Sequence, residues 1–344
     1  MFIIFGSALM VAVSFLLVGM LISAPAHNGP ATDHFNGKKF TNPGNVQAKG
    51  LTDVFQWMMQ RQQGPWTEIK ESVYGEKPEA KITNGVKITF VNHSTFLIQV
   101  SGINILTDPV WSERTSPFQF AGPKRMKQPG IRFEDLPAID YVIISHNHYD
   151  HLDINTLKDI YKIHQPKIIT PLGVKSFLDK NQITTATDLD WWQEVSLSDS
   201  LSIQSVPAQH FSGRGISDRD ATLWAGYVIK NHQGNIYFAG DTGYNPVTFK
   251  EIGERCAPIT VALIPIGAYK PAWFMSPIHC SPAEAVQIHF DVKASQSIAT
   301  HFGTFPLADD GEHEPVTELA EALKQSNLPA GKFLVLKEGV GRLF

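Results

Sequence analysis

An α+β fold, with two β-sheets packed face to face and helices outside, is what this 344-residue sequence predicts. Two observations lead there. Short runs of β-branched and aromatic residues cluster within each half of the chain, with helical stretches mixed among them, unlike the strict strand–helix alternation of a doubly wound parallel sheet. Four of these runs end in His or Asp, as strands do when they converge on one rim of a sandwich and deliver side chains to a shared cavity. Composition agrees: 43% hydrophobic and 18% charged residues suffice for one large core or two smaller ones. A net charge of -4 with no Lys/Arg-rich arm provides no global field for a polyanion, so nucleic-acid binding is not expected. Only Cys256 and Cys280 are present, in no zinc-type spacing, which excludes a cysteine metal site and does not suggest a disulfide.

The chain opens on MFIIFGSALMVAVSFLLVGMLIS, apolar for about 22 residues and long enough to cross a bilayer. Residues 1–24 therefore read as a transmembrane anchor or a signal segment. Ala24-Pro25-Ala26 has the small-x-small form of a cleavage site, whereas no Lys or Arg precedes Lys38, so the basic start of a signal peptide is missing and the anchor is favoured. Membrane association is the expectation, with the side open. Lys38, Lys39 and Lys49 favour the cytoplasm for the chain that follows, and a cleaved segment would leave a periplasmic or secreted protein. Residues 25–80 read as a linker and an N-terminal helical region. Gly, Asn, Pro and Thr dominate as far as Gly50, after which Leu51, Val54, Phe55, Met58 and Met59 fall at helical spacing before Pro65. That helix is read as docking on the domain that follows, over the alternative of a membrane-surface helix.

Residues 81–344 read as the main domain. VKITFVN, STFLIQV and INILTD have the content and spacing of a meander, with Ser101-Gly102 as a turn. DYVIIS, a helix over 154–164, KIIT, a helix near 174–179 and LSIQSV follow. TLWAGYVIK and GNIYFAG pair as a hairpin across Asn231 to Asn235. A helix over 246–255, ITVALIPI, the helix SPAEAVQIHFDV, QSIATH, a helix near 316–324 and KFLVL complete the chain. Asp153 is placed to cap the helix from Ile154, and Ser281 the helix from Pro282.

Chemistry concentrates at the strand ends. DYVIIS runs into His146, His148, Asp150 and His151; LSIQSVPAQH ends in His210, NIYFAGD in Asp241 and QSIATH in His301. Neutral imidazole and carboxylate are ligands of zinc, iron or manganese, and these side chains outnumber what one tetrahedral ion takes. Two divalent ions sharing a carboxylate are the simplest reading. Taken singly, Asp241 in GDTG suits a turn, and His210 or His301 suits a structural histidine; it is the combination that points to metal.

HNHYDH resembles the HxHxDH signature of the metallo-β-lactamase fold, and His210, Asp241 and His301 follow in that family's order. From about Val86 onward, SHNHYDHLD, LDWWQE, AGDTGY, IPIGAY, WFM and HFGTF together resemble the N-acyl-phosphatidylethanolamine-hydrolysing phospholipase D group. The resemblance implies an αββα sandwich of two mixed sheets, with residues 81–344 as the hydrolase domain. It also implies one metal on His146, His148 and His210, a second on Asp150, His151 and His301, and Asp241 as the bridge. The cofactors expected are two divalent ions, zinc first, with iron or manganese as alternatives. The partners expected are a phospholipid and the membrane; a homo-oligomer is compatible.

The expected reaction is hydrolysis of N-acyl-phosphatidylethanolamine to N-acylethanolamine and phosphatidic acid by metal-bridged hydroxide attacking phosphorus. Asp150 and Asp241 would orient the nucleophile through the metals. His279, in SPIHCSPAE, is expected at the phosphate or as proton donor, and Trp273, Phe274 and Met275 as acyl-chain contacts, against a default of core packing. His93 reads as a hydrogen-bond partner of the ligands or as simple packing. Lys124, Arg125, Lys127 and Arg132 form a basic loop that either meets anionic head groups or is merely solvated. No HxK motif occurs, so the two-histidine covalent phospholipase D mechanism is excluded. Two alternatives stand: a hydrolase of another ester, lactone or phosphodiester, and a non-catalytic metal-binding membrane protein.

Overall fold

A computed structural model describes residues 17–344, built around the expected pair of mixed sheets. In the first sheet β1 (Val86–Asn92), β2 (Thr95–Val100) and β3 (Ile103–Thr107) form the antiparallel meander. From β3, β4 (Tyr141–Ile143), β5 (Lys167–Pro171) and β6 (Ala186–Leu189) continue in parallel. In the second sheet β7 (Glu194–Ser198), β8 (Leu201–Val206), β9 (Gly226–Asn231) and β10 (Asn235–Phe238) are antiparallel. Parallel β11 (Ile259–Pro265), β12 (Ala294–Thr300) and β13 (Phe333–Leu334) extend it. β14 (Gly341–Leu343) returns to pair with β1, so the C-terminus closes the first sheet.

Parallel neighbours need crossovers, and these supply the outer helices. α2 (Ile154–His164) and α3 (Val174–Lys180) join strands of the first sheet; α4 (Pro246–Arg255), α6 (Pro282–Asp291) and α7 (Glu314–Ser326) serve the second. Between the sheets Ile88, Phe90, Phe96 and Ile98 meet Ile203, Tyr227, Ile229 and Phe238, all fully buried. Alternate residues of each strand face this layer and the others face the helices, as a pleat of period two requires.

Two expected caps are in place. Ser281 forms a capping box with Glu284 at α6. At α2, Asp153 Oδ1 accepts from the backbone N–H of Asn155 (3.1 Å) and Thr156 (3.3 Å), while Oδ2 accepts from Ser112 N–H (2.9 Å). One carboxylate thus caps a helix and anchors the loop after β3. Asp153→Ala strands donors on both, so urea unfolding should show a loss of about 3 kcal/mol, above an ordinary cap. A loss under about 1 kcal/mol would show that the loop contact adds nothing.

One expectation falls mostly outside what the structure describes, and two others are corrected. The apolar segment read as an anchor lies mostly outside the described residues. Residues 17–21 are helical, and among the described residues no helix is long and apolar enough to cross a membrane. The Ala24 N–H donates to Asp218 Oδ2 (2.7 Å) and the His27 N–H to Ala221 O (2.8 Å), so the small-x-small stretch is fastened to the body. Helix α1 (Leu51–Gln60) docks through Trp57, whose ring stacks on Phe274 at 5.1 Å and whose Nε1–H donates to Asp309 (3.0 Å). Val54 packs beside Trp57 in the same cluster, whereas Leu51, Phe55, Met58 and Met59 are 65–83% exposed. The basic loop is internally engaged. Arg125 is buried, donating to Val110 O and Asn92 Oδ1, and Lys127 pairs with Glu312 at 3.0 Å.

Candidate metal centre

The four strand ends do converge. β4 leads into 146–151, β8 into His210, β10 into Asp241 and β12 into His301, at one rim of the sandwich. The donor atoms fall into two groups. His146 Nε2 and His210 Nε2 lie 2.8 and 3.2 Å from His148 Nδ1. In the other group His301 Nε2 and His151 Nε2 each lie 3.3 Å from Asp150 Oδ2. Asp241 stands between them: its Oδ2 is 3.1 Å from His151 and His301, 3.9 Å from His146, 3.8 Å from His210 and 4.0 Å from His279 Nδ1. One carboxylate oxygen therefore faces five imidazoles, the position expected of a bridge.

Hydrogen bonds at the far side of two rings set their tautomers. His210 Nδ1 lies 2.8 Å from Ile278 O, and a carbonyl only accepts, so Nδ1 carries the proton and Nε2 presents a bare lone pair to the centre. His151 Nδ1 is 2.6 Å from Asp108 Oδ2, which aims His151 Nε2 inward in the same way. His151 Nε2 and Asp241 Oδ1 are buried with no hydrogen-bond partner among the described residues. Such orphaned donor atoms are costly unless a cation satisfies them.

Electrostatics fits the same occupant. Burial lowers His148 to about 4 and His279 to about 4, and holds His146 and His210 well below the usual imidazole range, so these rings are neutral near neutral pH. Burial also opposes protonation of His301, yet the Asp241 and Asp150 carboxylates raise it to about 9. Without metal, a proton there balances carboxylate charge that a divalent cation would otherwise take.

Three contributors escaped the sequence reading or were left open by it. Asp108 is buried at φ +33°, accepting from Ser145 N–H (2.7 Å) and Ser145 Oγ–H (2.6 Å) as well as from His151. Its signal was present, since INILTD is another strand that ends in Asp. Asn42, in the stretch read as a linker, accepts from the His210 N–H and donates to the His210 carbonyl, both at 2.8 Å. Nothing near Asn42 in the sequence marks it. His93 joins the second group, its Nε2 3.0 Å from Asp150 Oδ2, and burial lowers it to about 3.

Beside the centre a cavity of about 260 Å³ is lined by His148, Asp150, Asp241 and His279 together with Val54, Trp57, Phe274, Met275 and Leu307. Phe274 and Met275, in α5 (Ala272–Met275), thus face the cavity together with His279. Trp273 is 40% exposed and does not line it.

Comparison with known proteins agrees with this geometry. Residues 103–302 match the β-lactamase superfamily domain. The N-acyl-phosphatidylethanolamine-hydrolysing phospholipase D 1 of Caenorhabditis elegans is 37% identical over 318 residues, 88% of this chain and 87% of the relative. The mitochondrial N-acyl-phosphatidylethanolamine-hydrolysing phospholipase D of Saccharomyces cerevisiae is 34% identical, over 67% of this chain and 50% of its own. Among solved structures, Igni18, a metallo hydrolase from the archaeon Ignicoccus hospitalis, superposes with a TM-score of 0.58 at 25% identity, covering 76% of this chain and 99% of its own. The chain therefore belongs to the β-lactamase superfamily: it is a metallo-β-lactamase-fold hydrolase, built to bind divalent metal and related to the N-acyl-phosphatidylethanolamine-hydrolysing phospholipase D proteins.

Proposed function

We propose that this protein hydrolyses the phosphodiester of an N-acyl-phosphatidylethanolamine, releasing N-acylethanolamine and phosphatidic acid. The observation that carries the reading is the cavity at the Asp241 cluster, whose lining joins apolar Val54, Trp57, Phe274, Met275 and Leu307 to the ligand-type His148, Asp150, Asp241 and His279. The 37% identity to a relative of that name, along nearly its whole length, supports the substrate class.

His146, His148 and His210 would hold one divalent ion, Asp150, His151 and His301 the other, and Asp241 both; nitrogen and oxygen donors suit zinc first, and also iron or manganese. When bound, such a pair supplies Lewis acidity toward phosphoryl oxygens and makes water a competent nucleophile near neutral pH. The protein's own part is positioning. Asp108 and Ile278 O fix the imidazoles, as outer hydrogen-bond partners of metal ligands do. His279, neutral and beside Asp241, offers one N–H to a phosphoryl oxygen or to the departing alkoxide. Trp57, Phe274 and Met275 exclude water along the acyl chain. The exposed apolar side of α1 stands next to the same cavity and suits a bilayer surface, from which lipid would enter.

Direct hydrolysis puts one water oxygen on phosphorus while the ethanolamine oxygen leaves with its electron pair and takes a proton. In labelled water, with substrate in vesicles, mass spectrometry should find the label in phosphatidic acid and none in the N-acylethanolamine. Added short alcohols should give no phosphatidyl ester, because no phospho-enzyme forms for them to intercept. Label in the ethanolamide would reject this mechanism. Cleavage of another phosphodiester but of no N-acylated phospholipid would reject the substrate. Sedimentation of the same mixtures should carry the full-length protein down with the vesicles, and protein left wholly in the supernatant would count against membrane capture.

A further inference from the structure

A second cavity, of about 350 Å³, meets the apolar one at a shared wall made by Ala48, Lys49, Phe211 and Arg219. Its character differs. Lys39, Lys49 and Arg219 line it with one carboxylate, Asp220, among polar, aromatic and a few aliphatic side chains, so it carries an excess of positive charge. Lys49 is half-buried yet forms no ion pair among the described residues. Arg219 is held in place: its Nη2–H donates to Lys49 O (2.8 Å), and its guanidinium carbon lies 4.9 Å from the Phe211 ring centroid. Asp220 lies 3.7 Å from Arg219 Nε, outside hydrogen-bond range, which leaves the rest of the fork uncommitted.

The placement relative to the metal centre decides what this pair can serve. The Phe211 ring packs 4.4 Å from the His148 ring and 5.0 Å from the His210 ring, so it stands between the guanidinium and the ligand histidines. Arg219 is therefore one aromatic ring removed from the ligand-type histidines. We infer that this cavity takes an anionic group beyond the phosphodiester being cleaved, a head-group carboxylate or phosphate that N-acyl-phosphatidylethanolamine lacks and a further N-acylated phospholipid substrate carries. The inference rests on the hydrolase reading of the neighbouring centre. A planar fork beside a flexible ammonium suits two-oxygen anions, while the apolar cavity on the other side of Lys49 and Arg219 takes a hydrocarbon chain. Head-group charge would then be read separately from acyl chain.

The test uses metal-loaded, full-length protein and two lipids in neutral vesicles, N-acyl-phosphatidylserine and N-acyl-phosphatidylethanolamine, which differ by one head-group carboxylate. The wild type should favour the serine lipid by about tenfold in kcat/KM, the size expected of one partly exposed charge-assisted contact. Combining Lys49→Gln with Arg219→Gln should abolish that preference, mainly through KM, and Arg219→Lys should restore part of it. Equal use of both lipids by the wild type, or a preference that survives the double substitution, overturns the inference. Inorganic phosphate separates lipid head group from free anion: inhibition of the serine lipid that disappears in the double variant shows that the cavity binds the anion alone. Should neither lipid be cleaved, the substrate reading fails by itself. Calorimetry of inorganic phosphate then decides the cavity, since tighter binding by the wild type keeps it and equal binding removes it.

Discussion

Asp241→Asn should lower kcat/KM by about 1,000-fold and bring metal content below the two ions per chain expected of the proposed centre, while circular dichroism stays native. The size follows from position. Asp241 Oδ2 lies within 4.0 Å of five imidazole nitrogens and touches both donor groups, so removing its charge weakens both sites together. Loss of an outer hydrogen-bond partner of a metal ligand costs about 10- to 100-fold, and loss of a ligand shared as proposed for Asp241 should cost more. His148→Ala should fall in the same class, because its Nδ1 is the meeting point of the first group. His232→Ala, in the turn between β9 and β10, should stay within about twofold, in the range of a neutral surface change. Elemental analysis beside steady-state rates checks all three. Full activity in an Asp241→Asn protein that holds no metal would overturn the metal reading altogether.

Asp108→Asn should weaken metal affinity by about 10- to 100-fold without touching any ligand. The buried carboxylate accepts from His151 Nδ1–H, Ser145 N–H and Ser145 Oγ–H, and an amide of the same shape presents N–H groups to at least one of those donors. His151 then loses the partner that fixes its tautomer, and an unmet donor is left in the interior. Stability should fall as well, by roughly 1–3 kcal/mol. Competition with a chromophoric chelator measures the affinity, and urea unfolding the stability. If affinity stayed at wild type while stability dropped, Asp108 would be a packing residue alone. Its left-handed backbone, at φ +33°, belongs with His93 at +47° and His301 at +58°: strained residues gathered around one centre, where the surrounding fold must hold them.

By itself the sequence determined the fold class, the helices 154–164 and 246–255, and the seven side chains that meet at the rim. Those features are written locally. Periodicity marks a strand or helix within a few turns of chain, and a strand that ends in His or Asp announces what the rim will carry. Tertiary structure decided the rest. Asn42 grips His210 across 168 residues of sequence, and no local pattern encodes a contact between a Pro/Gly-rich stretch and a distant loop. His93 could have packed or hydrogen-bonded until β1 and β2 brought it to Asp150. Arg125 read as surface charge, yet its guanidinium is buried on carbonyls, because a basic run says nothing about which face the loop turns inward. Leu51, Val54, Phe55, Met58 and Met59 read as one docking stripe, yet α1 docks through Trp57 and Val54 and leaves the other four exposed. A hydrophobic period fixes which residues share a side of a helix; which side is buried depends on the surface it meets, and that surface, α5 and the loop at Asp309, is assembled only when the sheets close.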